Sequence, residues 1–141
     1  MTTVSEVMTR GARTITPQDQ AMLAAQLMDQ MDVGSLPVCE AGKLVGVVTD
    51  RDLVVRGLAK RQTLEGAQVK EFMSNEVAFC FENQSVEEVL EYMGGDQLRR
   101  LPVLDQEKRL VGIVTLGDIA SKEEQPKTDE ALAEISTDLP K

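Results

Sequence analysis

Two short segments of this sequence place a threonine and an aspartate three residues apart, each behind a glycine. They are G-V-V-T-D-R-D from Gly46 to Asp52 and G-I-V-T-L-G-D from Gly112 to Asp118. An aspartate carboxylate can accept both hydrogen bonds of a cis-diol, and a threonine hydroxyl can donate to a phosphate or a base. The pattern suits a ribonucleotide. T-x-x-D is also close to a capping box, in which the two side chains only satisfy the first N–H groups of a helix, and both interpretations stay open.

Each motif is predicted to lie where a strand ends and a helix begins. Apolar and β-branched runs over 36–39 and 44–49, and again over 101–104 and 110–115, predict two hairpins with short polar turns. The apolar period becomes helical after each motif threonine, over 50–60 in the first copy and only briefly over 116–122 in the second. The free N–H groups and the dipole at such a helix start favour an anion.

Two further helices are predicted upstream of the hairpins. Thr16 and Pro17 are typical of a helix start, with Thr16 as the N-cap and Pro17 at the first helical position. In the second copy, Ser85 and Glu88 form an S-x-x-E capping box. Each start is followed by an apolar stripe that we expect to face a core: Ala21, Ala24, Ala25, Met28 and Met31 in the first copy, and Val86, Val89, Leu90 and Met93 in the second.

Composition limits the classes of protein to which the chain can belong. With 141 residues, of which 42% are apolar, it can bury a core without disulfides or metals. The net charge of −9 argues against general binding to nucleic acid or to an anionic membrane. A basic leader and an apolar run near the roughly 20 residues of a spanning helix are both absent from the sequence, which predicts a cytoplasmic protein.

The cysteine and histidine counts argue against most enzyme classes. The chain has two cysteines and no histidine, which excludes the usual zinc spacings, a histidine-assisted nucleophile and an imidazole base. We therefore predict no enzymatic activity and no metal site. Cys39 and Cys80 lack a C-x-x-C spacing, so two free thiols are expected, with a redox switch as the alternative.

The two motifs belong to two copies of one longer pattern. Val4, Met8, Met28 and Pro37 recur about 65 residues later as Val69, Met73, Met93 and Pro102. The sequence therefore predicts a first repeat over 1–61, a linker over 62–68, a second repeat over 69–122 and a tail over 123–141, in which 129–135 could form a short helix.

Each copy contains an h-P-V strand followed by G-h-h-T-x-x-D, and this ordered pattern, over roughly residues 4–121, resembles two cystathionine-β-synthase (CBS) domains in tandem, a Bateman module. The segments D-R-D-L-V-V-R-G-L-A and L-R-R-L-P-V are similar to those of stand-alone bacterial members, including the mycobacterial hypoxic response proteins. The resemblance implies an α+β fold of two β-α-β-β-α units packed about a pseudo-twofold axis, and homodimers of such modules.

The same resemblance implies a function. It indicates a non-catalytic regulatory module for signal transduction, with a cleft between its two motifs that binds AMP, ADP, ATP, S-adenosylmethionine or another adenosyl ligand. A partner protein, which the sequence does not identify, would respond to ligand occupancy. The alternative is a ligand-free dimeric scaffold with a role in stress or protein interaction, in which T-x-x-D is only a cap.

The resemblance also assigns roles to individual positions. Asp52 and Asp118 match the family's ribose-binding acid, and Thr49 and Thr115 match its partner hydroxyl. By the same match, the adenine is lined by Val47 and Ile113, the base edge is hydrogen-bonded by the backbone of Thr14-Ile15 and Ala78-Phe79, and phosphate is reached by Arg99 and Arg100.

The two copies differ at the positions that would face phosphate. The first copy has Gly34 and Ser35 where the second has its two arginines. Asp50 beside Asp52 would also oppose a polyphosphate unless Arg51 compensates. The second motif is therefore the favoured nucleotide site, whereas a solvated strand edge is the alternative interpretation of the arginines.

Overall fold

The computed structural model describes residues 1–122, which form a mixed set of helices and strands. The predicted tail over 123–141, including the possible helix over 129–135, lies outside the described residues. The third helix, α3, consists of three consecutive segments, of which the middle one has π geometry. In chain order the elements are α1 (Val4–Val7), α2 (Ala21–Met31), β1 (Ser35–Glu40), β2 (Lys43–Thr49), α3 (Asp50–Asp52, Leu53–Leu58 and Ala59–Arg61), a 3₁₀ turn (Val69–Glu71), β3 (Cys80–Phe81), α4 (Val86–Gly95), β4 (Arg100–Leu104), β5 (Leu110–Thr115) and α5 (Leu116–Lys122).

The chain divides into two compact units whose limits differ from those of the sequence repeats. One, here called the continuous unit, contains Arg13–Val77. The other, here called the split unit, contains Met1–Ala12 together with the described residues from Ala78 to Lys122. The segment that opens each repeat therefore belongs to the unit built mainly from the other repeat.

The continuous unit is built on the first predicted hairpin, which is confirmed. Strand β1 pairs antiparallel with β2 in a register that runs from Ser35 opposite Thr49 to Glu40 opposite Lys43. Ile15 adds a parallel bridge to Val38. The core of this unit gathers apolar side chains from α2, from both strands and from the predicted linker, where Leu64 is buried.

The predicted start of the first helix at Thr16 and Pro17 is wrong. Helix α2 begins at Ala21 with Gln20 as its N-cap. The Thr16 N–H donates to Asp19 Oδ2 at 2.9 Å, and the Pro17 carbonyl accepts from the N–H of Lys70 at 2.9 Å. In a helix starting at Pro17, this carbonyl would accept from the Ala21 N–H, but that N–H donates to the Ala67 carbonyl at 2.9 Å. Because both groups pair with segments far along the chain, the first turn of a helix does not form at Thr16 and Pro17.

The apolar stripe of α2 is only partly a core face. Ala21, Ala24 and Met28 are buried as expected, but Met31 is exposed. Met31 is the last residue of the helix, and Asp32 after it adopts a left-handed conformation with φ 55°. The chain turns away at this point, which leaves the final side chain of the stripe outside the core.

The split unit contains the second predicted hairpin, which is also confirmed. Strand β4 pairs antiparallel with β5 from Arg100 opposite Thr115 onward, and β3 adds a parallel pair with Cys80 opposite Val103. The predicted capping box of α4 is present, with the Glu88 N–H donating to Ser85 Oγ at 3.2 Å and the Ser85 N–H donating to Glu88 Oε1 at 3.2 Å. Helix α1 buries its apolar side chains in the core of this unit.

The glycine of each motif is required by a close backbone approach. In the split unit, Thr9 pairs with Ile113 through N–H···O bonds of 2.8 and 2.9 Å. A Cβ atom on Gly112 would lie only 2.8 Å from the Thr9 carbonyl oxygen. In the continuous unit, Ser74 lies in the same way against β2, and a Cβ on Gly46 would lie 2.7 Å from its carbonyl oxygen. Neither position has room for a side chain.

Both cysteines are free and buried, as the expectation of two free thiols required. Burial raises the pKa of the Cys80 thiol to about 12 and also raises the pKa of Cys39.

Within residues 1–122, none of the helices has the length and apolar character needed to cross a bilayer.

Candidate functional site

The second T-x-x-D motif joins β5 to α5 in the split unit. The Asp118 N–H donates to Thr115 Oγ1 at 2.9 Å, and the Thr115 N–H donates to Asp118 Oδ2 at 3.1 Å. This reciprocal pair is a capping box. Asp118 is half-buried, so its carboxylate is held by the backbone and is still reached by solvent.

The first motif has the same local geometry in the continuous unit. The Asp52 N–H donates to Thr49 Oγ1 at 3.0 Å, and the Thr49 N–H donates to Asp52 Oδ2 at 2.9 Å. The predicted capping box is therefore present in both motifs. The cap is compatible with ligand binding, because it uses one oxygen of each carboxylate and leaves the other oxygen for another partner.

The two carboxylates have different side-chain neighbours. Asp52 Oδ1 lies 3.8 Å from the guanidinium Nε of Arg56, and Nη1 of the same arginine donates to the Phe72 carbonyl at 3.3 Å. Asp118 instead faces the Thr9 hydroxyl, whose oxygen lies 3.5 Å from Oδ1 and 3.4 Å from Oδ2. The first acid thus has a cationic neighbour and the second a neutral hydroxyl.

The two predicted phosphate-facing arginines lie next to the second motif. Arg100 is directly opposite Thr115 across the β4–β5 pair, and the Arg99 carbonyl accepts from the Leu116 N–H at 3.0 Å. Both arginine side chains are exposed. The structure therefore places two cations beside the strand end and helix start that hold Asp118.

The corresponding place in the continuous unit carries no cation. Ser35 is opposite Thr49, and the Gly34 carbonyl accepts from the Asp50 N–H at 2.9 Å. A Cβ on Gly34 would lie 3.1 Å from Asp50 Oδ2. The two motifs therefore share backbone geometry but differ in charge at these two positions.

The apolar positions expected to line an adenine are half-buried in both units. Val47 and Ile113 lie between buried neighbours on their strands, so their side chains point to the opposite strand face from the core. The backbone N–H and C=O of each are already paired, with Ser74 and Thr9 respectively. Only the side chains of Val47 and Ile113 could therefore contact a base.

The two segments expected to hydrogen-bond a base edge have different surroundings. The Ile15 N–H donates to Pro37 O at 3.1 Å and its carbonyl accepts from the Cys39 N–H at 2.8 Å. Its side chain is buried, which leaves half-buried Thr14 as the only candidate of that pair. In the split unit, Ala78 packs on the core, and the exposed Phe79 ring contacts Phe81 edge to face at a centroid distance of 5.5 Å.

Three residues near the motifs were not predicted from the sequence. Thr9 and Ser74 follow Met8 and Met73 in the repeated opening segments, so their equivalence was visible, but not their location against the other repeat. Arg56 follows Asp52 by four residues, the spacing of a helical ion pair. The cation beside Asp52 is Arg56, whereas Arg51 is exposed and its N–H bonds Asp50 Oδ1 at 2.7 Å.

The chemistry available to these groups is binding by hydrogen bonds and charge. A carboxylate with one free oxygen can hold a diol, and an exposed guanidinium can bind phosphate in a bidentate geometry. Among residues 1–122, histidine, cysteine and acidic side chains form no group of three that could hold a metal ion.

Comparison with known proteins gives close relatives over most of the chain. The CBS domain-containing protein YhcV of Bacillus subtilis is 42% identical over 120 residues, which are 85% of this chain and 84% of that protein. Hypoxic response protein 1 of Mycobacterium tuberculosis H37Rv is 39% identical over 121 residues, 85% of this chain and 84% of that protein.

Three solved structures have the same fold. Hypoxic Response Protein I with two coordinated zinc ions has a TM-score of 0.76 at 37% identity, covering 87% of this chain and 100% of that one. CBSX2 in complex with AMP, a protein of Arabidopsis thaliana, has a TM-score of 0.74 at 28% identity, covering 86% and 96%. The CBS domain pair of protein MJ0100, in complex with 5′-methylthioadenosine and S-adenosyl-L-methionine, has a TM-score of 0.70 at 29% identity, covering 86% and 98%.

The family model for the CBS domain matches this sequence twice, at residues 4–57 and 69–124. The predicted α+β tandem-repeat fold and the similarity to the hypoxic response proteins are both confirmed. The chain belongs to the CBS-domain family and carries two CBS domains in tandem.

Proposed function

We propose that this protein is a non-catalytic regulatory module that binds an adenine nucleotide or another adenosyl ligand through its T-x-x-D carboxylates. Asp118 in the split unit is the foremost binding residue. A change in ligand occupancy would alter how the protein contacts a partner, which makes the module a sensor in signal transduction.

The geometry around Asp118 carries this proposal. One carboxylate oxygen is fixed by the Thr115 N–H at 3.1 Å, so the group is oriented before a ligand arrives. The second oxygen lies 3.5 Å from the Thr9 hydroxyl and can still accept from a ribose diol. An oriented acceptor loses little entropy on binding, and a hydrogen bond to a charged group is worth about 1.5–3 kcal/mol.

The complexes of similar proteins support the class of ligand. AMP is bound in the CBSX2 structure, and 5′-methylthioadenosine and S-adenosyl-L-methionine are bound in the MJ0100 structure. These three compounds share adenosine and differ in charge at the 5′ end. Arg99 and Arg100 beside Thr115 favour a phosphate-bearing ligand in the split unit.

A ligand-free scaffold is the second candidate function. The observation in its favour is that both capping boxes are complete with protein groups alone. Both aspartates thus have a structural role that any function must preserve. Replacing either aspartate by alanine would remove a cap as well as a binding group, so that change cannot separate the two functions.

The replacement Asp118→Asn separates them. An asparagine keeps an oxygen that can accept from the Thr115 N–H, but it loses the negative charge and the second acceptor oxygen. We expect Asp118→Asn to lower the affinity for the best adenosyl ligand about tenfold to a hundredfold while the melting temperature changes little. Asp52→Asn in the continuous unit, which has the same cap, is made in parallel and shows whether the loss of affinity belongs to the split unit.

The assay is thermal unfolding with AMP, ADP, ATP, S-adenosylmethionine and NAD, followed by calorimetric titration of any compound that shifts the transition. Ligand at about 100 times its dissociation constant adds roughly 2.7 kcal/mol, a shift of several degrees. A shift that Asp118→Asn removes supports the sensor. If no compound shifts the transition of the folded protein, the scaffold becomes the better proposal.

The predicted homodimer would need an apolar surface, and α3 offers one. Val54, Val55 and Leu58 are 53%, 40% and 45% exposed. We expect a second copy of the chain to cover this face, so Val54→Asp should shift the protein toward monomer in analytical ultracentrifugation. A native protein that sediments as a monomer would contradict the homodimer.

The cytoplasmic location and the lack of nucleic-acid and membrane partners stay predictions from the sequence.

A further inference from the structure

We infer that Thr9 is a positioning residue for Asp118, so that the N-terminal segment 1–12 completes the ligand site of the split unit. This inference rests on the function proposed above. It adds a residue from the opposite end of the chain to a site otherwise formed by the second repeat.

The N-terminal segment is anchored firmly in the split unit. Val4, Val7 and Met8 are buried in its core. The Val4 and Ser5 N–H groups donate to the carbonyls of Gln84 and Glu82 at 2.9 and 3.0 Å. Thr9 therefore follows a segment that is held by both apolar packing and backbone pairing, and its location beside β5 is defined by these contacts.

Thr9 touches the site at two places. Its N–H and C=O both pair with Ile113, at 2.8 and 2.9 Å, and so set the edge of β5 on which Ile113 lies. Its exposed hydroxyl lies 3.5 and 3.4 Å from the two carboxylate oxygens of Asp118. The same residue thus borders the acid expected to bind ribose and the apolar side chain expected to line the adenine.

A bound ligand should strengthen the contact between the Thr9 hydroxyl and the Asp118 carboxylate. The distances from the hydroxyl to the carboxylate oxygens are longer than the roughly 2.5–3.0 Å of a good O–H···O bond. A carboxylate that accepts from the Thr115 N–H and from a diol would be held in place, and the Thr9 hydroxyl can then donate to it while accepting from a ligand hydroxyl. A residue with this role should affect ligands with a diol more than ligands without one.

The continuous unit supplies a matched control, because its equivalent hydroxyl is engaged elsewhere. Ser74 Oγ accepts from the Glu76 N–H at 3.3 Å and donates to the Glu76 carbonyl at 3.4 Å. The side-chain neighbour of Asp52 is Arg56 at 3.8 Å. Removal of the Ser74 hydroxyl should therefore not affect either carboxylate.

The experiment compares Thr9→Val, Thr9→Ser and Ser74→Ala by calorimetric titration with adenosine and with 2′,3′-dideoxyadenosine. Valine keeps the shape of threonine without its hydroxyl, whereas serine keeps the hydroxyl. We expect Thr9→Val to weaken adenosine binding about tenfold. Thr9→Ser and Ser74→Ala should stay within about twofold of the native protein, and Thr9→Val should bind dideoxyadenosine as the native protein does.

Other results of these titrations would contradict the proposed role of Thr9. If Thr9→Val binds adenosine like the native protein, or loses equal affinity for both nucleosides, Thr9 does not position Asp118 for a diol. A Thr9→Ser protein as weak as Thr9→Val would show that packing, not the hydroxyl, matters. If native protein binds neither nucleoside but a nucleotide shifts its thermal transition, the same comparison is made with that nucleotide and its 2′,3′-dideoxy form. If no adenosyl compound binds at all, the proposed function fails and this inference fails with it.

Discussion

Replacing Gly112 by alanine should test whether the N-terminal segment stabilises the split unit. An added Cβ would lie 2.8 Å from the Thr9 carbonyl oxygen and 2.8 Å from Met8 Sδ, although Cβ contacts shorter than 3.4 Å are uncommon. Met8 is flexible and could move, but the carbonyl is backbone. The segment must therefore shift away from β5 by several tenths of an ångström.

The cost of that shift can be estimated from the contacts at Thr9. Its two backbone hydrogen bonds to Ile113, of 2.8 and 2.9 Å, are worth about 1 kcal/mol each, and overpacking of a core costs about 1–3 kcal/mol. These terms overlap, because the same movement relieves one and weakens the other. We expect Gly112→Ala to lower the free energy of unfolding by about 2–3 kcal/mol.

Urea unfolding followed by circular dichroism measures this change, and Gly95→Ala is the matched control. Gly95 ends α4, and an added Cβ there meets nothing within 4 Å. Because alanine favours a helix over glycine by up to about 1 kcal/mol, this change should be neutral or stabilising. Trypsin should also cleave Gly112→Ala faster at exposed Arg10, since a shifted segment opens more easily. Gly112→Ala as stable as the native protein would refute the packing argument.

Three further changes have defined outcomes. Burial raises the pKa of the Cys80 thiol from 9.0 to about 12. Because the thiol ionises at a lower pH in the unfolded protein than in the folded one, the free energy of unfolding should fall as pH rises from about 9 toward 12. The urea midpoint of Cys80→Ala should therefore fall less steeply with pH than that of the native protein. Ser85→Ala removes the α4 N-cap and should cost about 1 kcal/mol in urea unfolding, whereas an unchanged midpoint would show that the cap contributes nothing. Arg61→Ala breaks an exposed ion pair to Glu71 of 2.7 Å and should change stability by less than about 1 kcal/mol; a larger loss would contradict the expected solvent screening.

Local patterns in the sequence were sufficient for the hairpins and for one helix start. Apolar and β-branched runs interrupted by a short polar turn leave few alternatives to antiparallel pairing, and both hairpins are present. Ser85 and Glu88 satisfy each other's backbone groups within one turn, so their cap needs no distant partner. The family resemblance had the same basis, because it depended on ordered local motifs.

The failures concern residues whose partners are far away in the sequence. Thr16 and Pro17 have the residue types of a helix start, but the carbonyl of Pro17 pairs with Lys70. Thr9 was not recognised beside Asp118 because 109 positions separate them. Such pairings depend on how the whole chain folds, and neither spacing nor propensity in a short window contains that information.

The exchange of opening segments predicts that the two repeats would not be stable as separate modules. Gly46 and Gly112 each admit the backbone of the other repeat's opening segment, at Ser74 and Thr9 respectively. A protein cut between the repeats would leave each T-x-x-D strand without the segment that pairs with it, and with apolar side chains such as Val4 or Val69 exposed. Each carboxylate is thus held in a unit to which both repeats contribute. In the split unit, a change at the N-terminal end of the chain therefore reaches Asp118 through the Thr9–Ile113 backbone pair and the Thr9 hydroxyl, without any long-range mechanism.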